Sequence, residues 1–397
     1  MEPVSERIAN LAESATMAMN QASKDLKAKG VDIINLSVGE PDFNTPDHIK
    51  AAGKKAIDDN FSFYPPAPGF PELREAISAK FKRENNLDYA PEQIVVSTGA
   101  KNSLANVLLC LIDKGDEAIV PSPYWVTYTE LVKLAEGKNV IVRGTIENKF
   151  KVTAAQIEKA ITPRTKALLL CSPSNPTGSV YNKDELAAIA KVIERHPRVY
   201  VVSDEIYEHI NYVDKHESIA QFESIKDRVI VINGVSKAYA MTGWRIGYIG
   251  APLWMAKACI KLQGQLITGP TTNAQKASVV ALNGDQTCVK EMLAAFRRRK
   301  DLVIGLMKEI PGIQVAEPDG AFYVFPKVDS YYGKSFGMRK INNSEEMCLY
   351  LLEEGHIATV SGESFGEPTC IRLSFATSDD KLVEAIKRLK SALAKLV

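Results

Sequence analysis

From about residue 93 to residue 251, short runs of apolar, β-branched residues alternate with longer amphipathic runs. This alternation constrains the fold more than any other feature of the chain. Residues 94–97 (Ile-Val-Val-Ser) read as a strand and 101–112 as the helix after it. The same pairing recurs as strand 117–120 with helix 125–135, strand 140–142 with helix 154–161, and strand 166–171 with helix 183–194. Residues 199–203, 228–232 and 245–249 read as further strands. Strands that are apolar on both faces and separated by helices predict an α/β fold with a mostly parallel central sheet flanked by helices. No clear helix separates 228–232 from 245–249, so one of these two strands is expected to run antiparallel. Beyond Asp285 the pattern changes to a long helix, 289–309, and a mixed segment with strands near 321–324 and 370–374. The expected organisation is a large domain, 48–300, and a discontinuous smaller α+β domain, 1–47 plus 301–397.

Composition removes several functions. Lys plus Arg is 49 and Asp plus Glu is 48, a formal charge of 49 − 48 = +1, which leaves no excess to neutralise a nucleic-acid backbone. No apolar run is long enough to span a membrane. The N-terminal segment is polar and charged, with no signal-peptide core, so a cytoplasmic protein is expected. The six cysteines stand singly and read as free thiols. The five histidines lack zinc-ligand spacing, and no metal site is expected. No G-x-G-x-x-G follows a strand, and Gly333-Lys334-Ser335 lacks the earlier glycine of a phosphate-binding Walker loop, where Val328 stands.

Ligands of an open parallel sheet gather at the carboxyl ends of its strands. Four polar segments fall there: Ser97-Thr98-Gly99-Ala100-Lys101, Ser172 to Gly178, Ser203 to Tyr207, and Asn233 to Lys237. A small-residue turn opening a helix at Gly99 and Ala100 suits an anion such as phosphate. Asp204 at a strand end is either half of an ion pair or a carboxylate for a protonated ring nitrogen. Lys237, following a core strand among small and apolar residues, has the setting of a nucleophilic amine. Ser236 and Arg245 suit a phosphate clamp, and Tyr207 is either packing or a ligand-binding phenol. Arg372, inside an apolar strand, requires an anionic partner, either internal or a substrate carboxylate. A phosphate cradle, an aldehyde-capturing lysine, a carboxylate for a ring nitrogen and an arginine for a carboxylate together match pyridoxal 5′-phosphate.

The motifs Ser172-Pro173-Ser174-Asn175-Pro176-Thr177-Gly178, Ser203-Asp204-Glu205-Ile206-Tyr207, Ser236-Lys237-Ala238 to Arg245-Ile246-Gly247-Tyr248, and Arg372-Leu373-Ser374 carry a resemblance over residues 33–377. The chain resembles the class I pyridoxal-phosphate-dependent aminotransferases of fold type I, and within them the bacterial aspartate aminotransferase subgroup, some members of which act on prephenate. The resemblance implies catalysis by Lys237, Asp204 and Tyr207. It places Lys237 covalently on the cofactor and as the proton shuttle, with Asp204 on the pyridine nitrogen. Tyr207 and Asn175 would hydrogen-bond the ring oxygen, and Tyr124 would stack on the ring. Gly99, Ala100, Ser236 and Arg245 would hold the phosphate, with Lys101 beside the cofactor and Tyr64 reaching the phosphate of the other subunit, so a homodimer with shared sites is implied. For substrate it implies Arg372 and Gly39 on the α-carboxylate, beside Asn175 and Tyr124, and Lys101 on a distal carboxylate. The expected reaction is ping-pong amino transfer from L-aspartate to 2-oxoglutarate. The alternatives are an aspartate/prephenate or aromatic aminotransferase, a pyridoxal-phosphate lyase, or a non-catalytic protein on the same fold. Residues 14–17 either close over substrate or form an amphipathic arm.

Overall fold

The computed structural model describes residues 4–213 and 215–397. Its central element is a seven-stranded sheet of β1 (Ile94–Ser97), β2 (Glu117–Ser122), β3 (Lys138–Arg143), β4 (Thr165–Cys171), β5 (Tyr200–Asp204), β6 (Val229–Gly234) and β7 (Gly247–Gly250), in the order β1-β7-β6-β5-β4-β2-β3. Strands β2 to β6 pair in parallel, and β7 alone runs antiparallel to both its neighbours, β1 and β6. This meets the expectation of one reversed strand where no helix intervenes: a crossover helix is what returns the chain to start a parallel strand. Every residue of β1, β6 and β7 is buried, as strands covered on both faces must be.

One covering helix, Lys183–Arg195, has both an apolar stripe and a side-chain cap. In Lys183–Arg195 the buried positions are Leu186, Ile189, Ala190, Val192 and Ile193, the three-to-four spacing of one helix face. Its start is fixed by a capping box, Glu185 N–H donating to Asn182 Oδ1 at 2.9 Å and Asn182 N–H to Glu185 Oε2 at 2.8 Å.

A second core gathers around a three-stranded antiparallel sheet of β8 (Tyr323–Val324), β9 (Val360–Ser361) and β10 (Ile371–Ser374), in the order β9-β10-β8. Ile34–Asn35 pairs in parallel with Ile357–Ala358, which ties the N-terminal segment to this second unit. The long helix Thr287–Met307 joins the two: Val289 packs with the large-sheet core, and Met292, Phe296, Val303, Ile304 and Met307 with the second. A division at residue 300 therefore falls inside this helix. Among the described residues no helix is long and apolar enough to cross a membrane.

Candidate active site

Parallel β1, β4, β5 and β6 leave the sheet at one edge. Antiparallel β7 enters at that same edge, so the residues just before it are delivered there too. The edge opens into a cavity of about 240 Å³ lined by polar groups from each of these turns. After β1, Gly99 has φ +83° and caps the 12-residue helix Ala100–Leu111, whose first residues Ala100 and Lys101 line the cavity. The left-handed conformation favours glycine at this position, and a Cβ there would push the Arg245 guanidinium from its place. Arg245, in the left-handed region at φ +57°, brings its guanidinium over the N-terminus of this helix and donates from Nη1 to Thr242 O at 2.8 Å. A helix N-terminus beside a guanidinium is an anion site.

At the end of β5, Asp204 is buried and accepts from Tyr128 O–H at 2.7 Å and from the Ile206 N–H at 3.2 Å. Burial pushes its carboxyl up to about 6, against the pull of those hydrogen bonds and of Lys237. After β6 come Ser236 and Lys237, whose Nζ donates to Gly39 O at 2.6 Å. Burial pushes the Lys237 amine down to about 8; Glu40 opposes this, Arg372 and Arg245 add to it, and Asp204 opposes it. An amine so placed is partly neutral near pH 8 and therefore nucleophilic.

The second unit closes the other wall. Arg372 on β10 is buried, donating from Nη1 to Asn175 Oδ1 at 3.0 Å and from Nη2 to Ser37 O at 2.6 Å, while Nε has no partner among the described residues. Its guanidinium lies over the rings of Tyr323 and Phe365, at 4.6 and 4.9 Å from their centroids. Among the described residues no carboxylate bonds this cation, and the guanidinium lines the cavity.

Residues 31–389 match the family model of aminotransferase class I and II. The chain belongs to this family. The aminotransferase is 45% identical over 396 residues to the aspartate/prephenate aminotransferase of Cereibacter sphaeroides, covering 99% of each chain. Among solved structures it resembles the aspartate aminotransferase of Rhizobium meliloti, with a TM-score of 0.96, 41% identity and all of both chains covered. It also resembles the aspartate aminotransferase of Thermus thermophilus with maleate, with a TM-score of 0.93, 39% identity and coverage of 99% of this chain and 100% of that one.

Of the residues singled out from the sequence of this aminotransferase, Gly39, Ala100, Lys101, Asn175, Asp204, Tyr207, Ser236, Lys237, Arg245 and Arg372 all line the one cavity, and Gly99 lies behind Arg245. Lys101 Nζ sits 5.0 Å from the Trp125 ring centroid, and its amine is lowered by burial and by Arg245. Ser14, Thr16 and Met17 line the mouth. Tyr64 is 91% exposed and does not line the cavity of its own chain.

Tyr124 requires a correction. Its backbone N–H donates to Phe365 O at 3.0 Å, and its ring packs against Gly366, outside the cavity. The aromatic surface expected from Tyr124 comes from Trp125 and Tyr128. The irregular turn between β2 and the helix Thr127–Leu134 swings consecutive side chains to different sides, and no periodicity in the sequence reports that phase. Tyr128 stands between two threonines in a helical run and Tyr323 in an apolar strand, so neither is marked by its neighbours in the chain as a site residue.

Proposed function

We propose that the chain transfers the amino group of L-aspartate to 2-oxoglutarate using pyridoxal 5′-phosphate held at this cavity. The observation that carries the reading is the placement of a Lys237 amine lowered to about 8 in one cavity with Asp204, Arg372 and a helix N-terminus. The donor set fits this cofactor. A buried carboxyl raised to about 6 suits a protonated ring nitrogen, the Ala100 helix end with Arg245 suits a phosphate, and the unpaired Arg372 Nε suits a carboxylate. When bound, the cofactor supplies an electron sink for the negative charge left when the substrate Cα loses its proton.

The chain's own groups do the rest. Arg372 grips the α-carboxylate, which orients the amino acid so that its Cα–H faces Lys237. Lys237 takes the proton from Cα and, as general acid, would hand it to the cofactor's C4′ carbon rather than back to Cα, a role suited to an amine near 8. Asp204, steadied by Tyr128, holds the positive end of the cofactor ring. Trp125 and Tyr128 supply apolar ring surface, and Lys101 at the far wall receives the second carboxylate of aspartate. Phe63 and Tyr64, 84% and 91% exposed, support a second copy of the chain packing there, with Tyr64 reaching its phosphate site.

Borohydride trapping of the loaded protein followed by peptide mapping tests the cofactor: label at Lys237 supports it, and label elsewhere or no visible band in cofactor-treated protein sinks it. A single-turnover panel of amino acids tests the substrate, since aspartate reacting no faster than alanine or phenylalanine defeats the dicarboxylate claim. Prephenate is the second oxo acid to include, because the similar Cereibacter sphaeroides protein is named for it.

A further inference from the structure

The hydroxyls of Tyr207 and Tyr323 lie 2.8 Å apart, both buried, with their ring centroids 5.8 Å apart at 79°. The two come from different units, Tyr207 from the turn after β5 and Tyr323 from β8. Their approach is stitched on both sides: Ala321 N–H donates to Ile210 O at 2.7 Å, Tyr212 O–H to Ala321 O at 2.5 Å, and Tyr323 pairs with Ser374 on the strand that carries Arg372. The Tyr323 hydroxyl also fills the place a side chain on residue 39 would take, since a Cβ on Gly39 would lie 2.4 Å from it.

Each phenol has one proton, so one must donate and the other accept. The permanent cation of Arg372 lies 4.6 Å from the Tyr323 ring centroid, whereas Lys237 Nζ is 5.7 Å from that of Tyr207. A cation over a ring favours negative charge on its oxygen; Arg372 bears on both phenols but lies over the Tyr323 ring, which makes Tyr323 the donor. Tyr207 then has its lone pair occupied and its proton free to point into the cavity.

We propose that Tyr323 is a positioning residue of this aminotransferase: its hydroxyl donates to the Tyr207 oxygen, aims the Tyr207 proton at the ring oxygen of the bound cofactor, and strengthens that donation. The inference rests on the cofactor reading above. A donated bond polarises the next one in a chain, so Tyr207 stabilises negative charge on the ring oxygen better when Tyr323 is present. That charge in turn sets how tightly the nitrogen joining Lys237 to the cofactor holds its proton. The other groups facing that nitrogen are Glu40, Arg372, Arg245 and Asp204, and those facing the Tyr323 phenol are Arg372, Cys171 and Glu40. All are unchanged in the variants below.

The test titrates the visible absorbance of the full, cofactor-loaded chain with pH for wild type, Tyr323→Phe, Tyr207→Phe and the double variant. Tyr323→Phe is expected to raise the midpoint by about half to one pH unit. Tyr207→Phe should raise it more, and the double variant should match Tyr207→Phe alone. A Tyr323→Phe midpoint equal to wild type, or the same increment in the Tyr207→Phe background, overturns the proposal, even if stability falls. Should Tyr323→Phe fail to fold, 3,5-difluorotyrosine at position 323 keeps the ring and strengthens the donor. A lower midpoint then supports the proposal and an unmoved one overturns it. A wild type with no visible band instead refutes the cofactor reading itself.

Discussion

Replacing Lys80 by Met tests the buried charge cluster behind the active-site turn. Lys80 ends the helix Pro71–Lys80, and its side chain is fully buried. Its ammonium bonds Glu208 and donates to Asn85 Oδ1 at 2.8 Å, with Glu84 Oε2 at 3.6 Å. Glu208 also accepts from Asn85 Nδ2 at 2.7 Å and Asn233 Nδ2 at 2.8 Å. Burial pushes the Glu208 carboxyl up, yet the Lys80 charge wins and holds it far below the usual carboxylate range. Lys80→Met leaves this carboxylate buried without its main cation, which costs about 3–5 kcal/mol. A chain of ordinary stability, about 5–15 kcal/mol, loses about a fifth of it or more. Lys80→Met/Glu208→Gln removes both charges and keeps an acceptor for Asn233, so its cost should be less than half that of Lys80→Met. Urea unfolding of the cofactor-free chain, followed by tryptophan fluorescence, measures both. The reasoning is refuted if Lys80→Met loses under about 1 kcal/mol, or if the double variant is no more stable than Lys80→Met. Glu208 adjoins Tyr207, and Asn233 precedes Lys237 by one turn of chain, so cofactor occupancy should fall in Lys80→Met and partly return in the double variant.

Four further outcomes are expected. Between its ordinary 3.8 and about 6, Asp204 keeps its proton more tightly in the folded chain than in the unfolded one. Asp204 therefore contributes stability to the cofactor-free protein that is lost as pH rises through that window, so the slope of stability against pH should be more positive in Asp204→Asn than in wild type; equal slopes would contradict this. Competitive amine labelling read by mass spectrometry should show Lys237 half-reactive near pH 8 rather than near the ordinary 10.5, and a midpoint above 10 would exclude the lowered amine. Lys101→Ala should lower kcat/KM for aspartate about 10- to 100-fold, the worth of one charged hydrogen bond, while alanine changes under about threefold; a like effect on both would remove Lys101 from distal-carboxylate recognition. Gly39→Ala places a Cβ 2.4 Å from the Tyr323 hydroxyl, and should raise KM for every amino acid tested and cost about 1–3 kcal/mol in urea unfolding.

Much of the site was legible because it is written at strand ends. Asp204, Asn175 and Lys237 each follow a continuous apolar run, and a polar residue at the end of a buried strand has few other reasons to be there. Arg372 was legible for the opposite reason, as a charge inside an apolar strand that must meet an anion. Tyr124 misled because the turn before Thr127–Leu134 has no period from which to read which way a side chain points. Tyr323 was invisible because a tyrosine in an apolar strand looks like packing until its partner, 116 residues earlier, is brought to its hydroxyl.

The sequence by itself determined the alternation of elements, the reversed strand and the chemical types at the sheet edge, since these follow from local periodicity and from the cost of burying polar groups. Only the tertiary structure decided the distances. Lys237 meets the Gly39 carbonyl 198 residues away, Arg372 meets Asn175 across 197, and Tyr323 meets Tyr207 where the two units join. The physical reason is that pKa and donor direction depend on charges and burial within a few ångströms, and those neighbours are set by how two cores pack rather than by order along the chain.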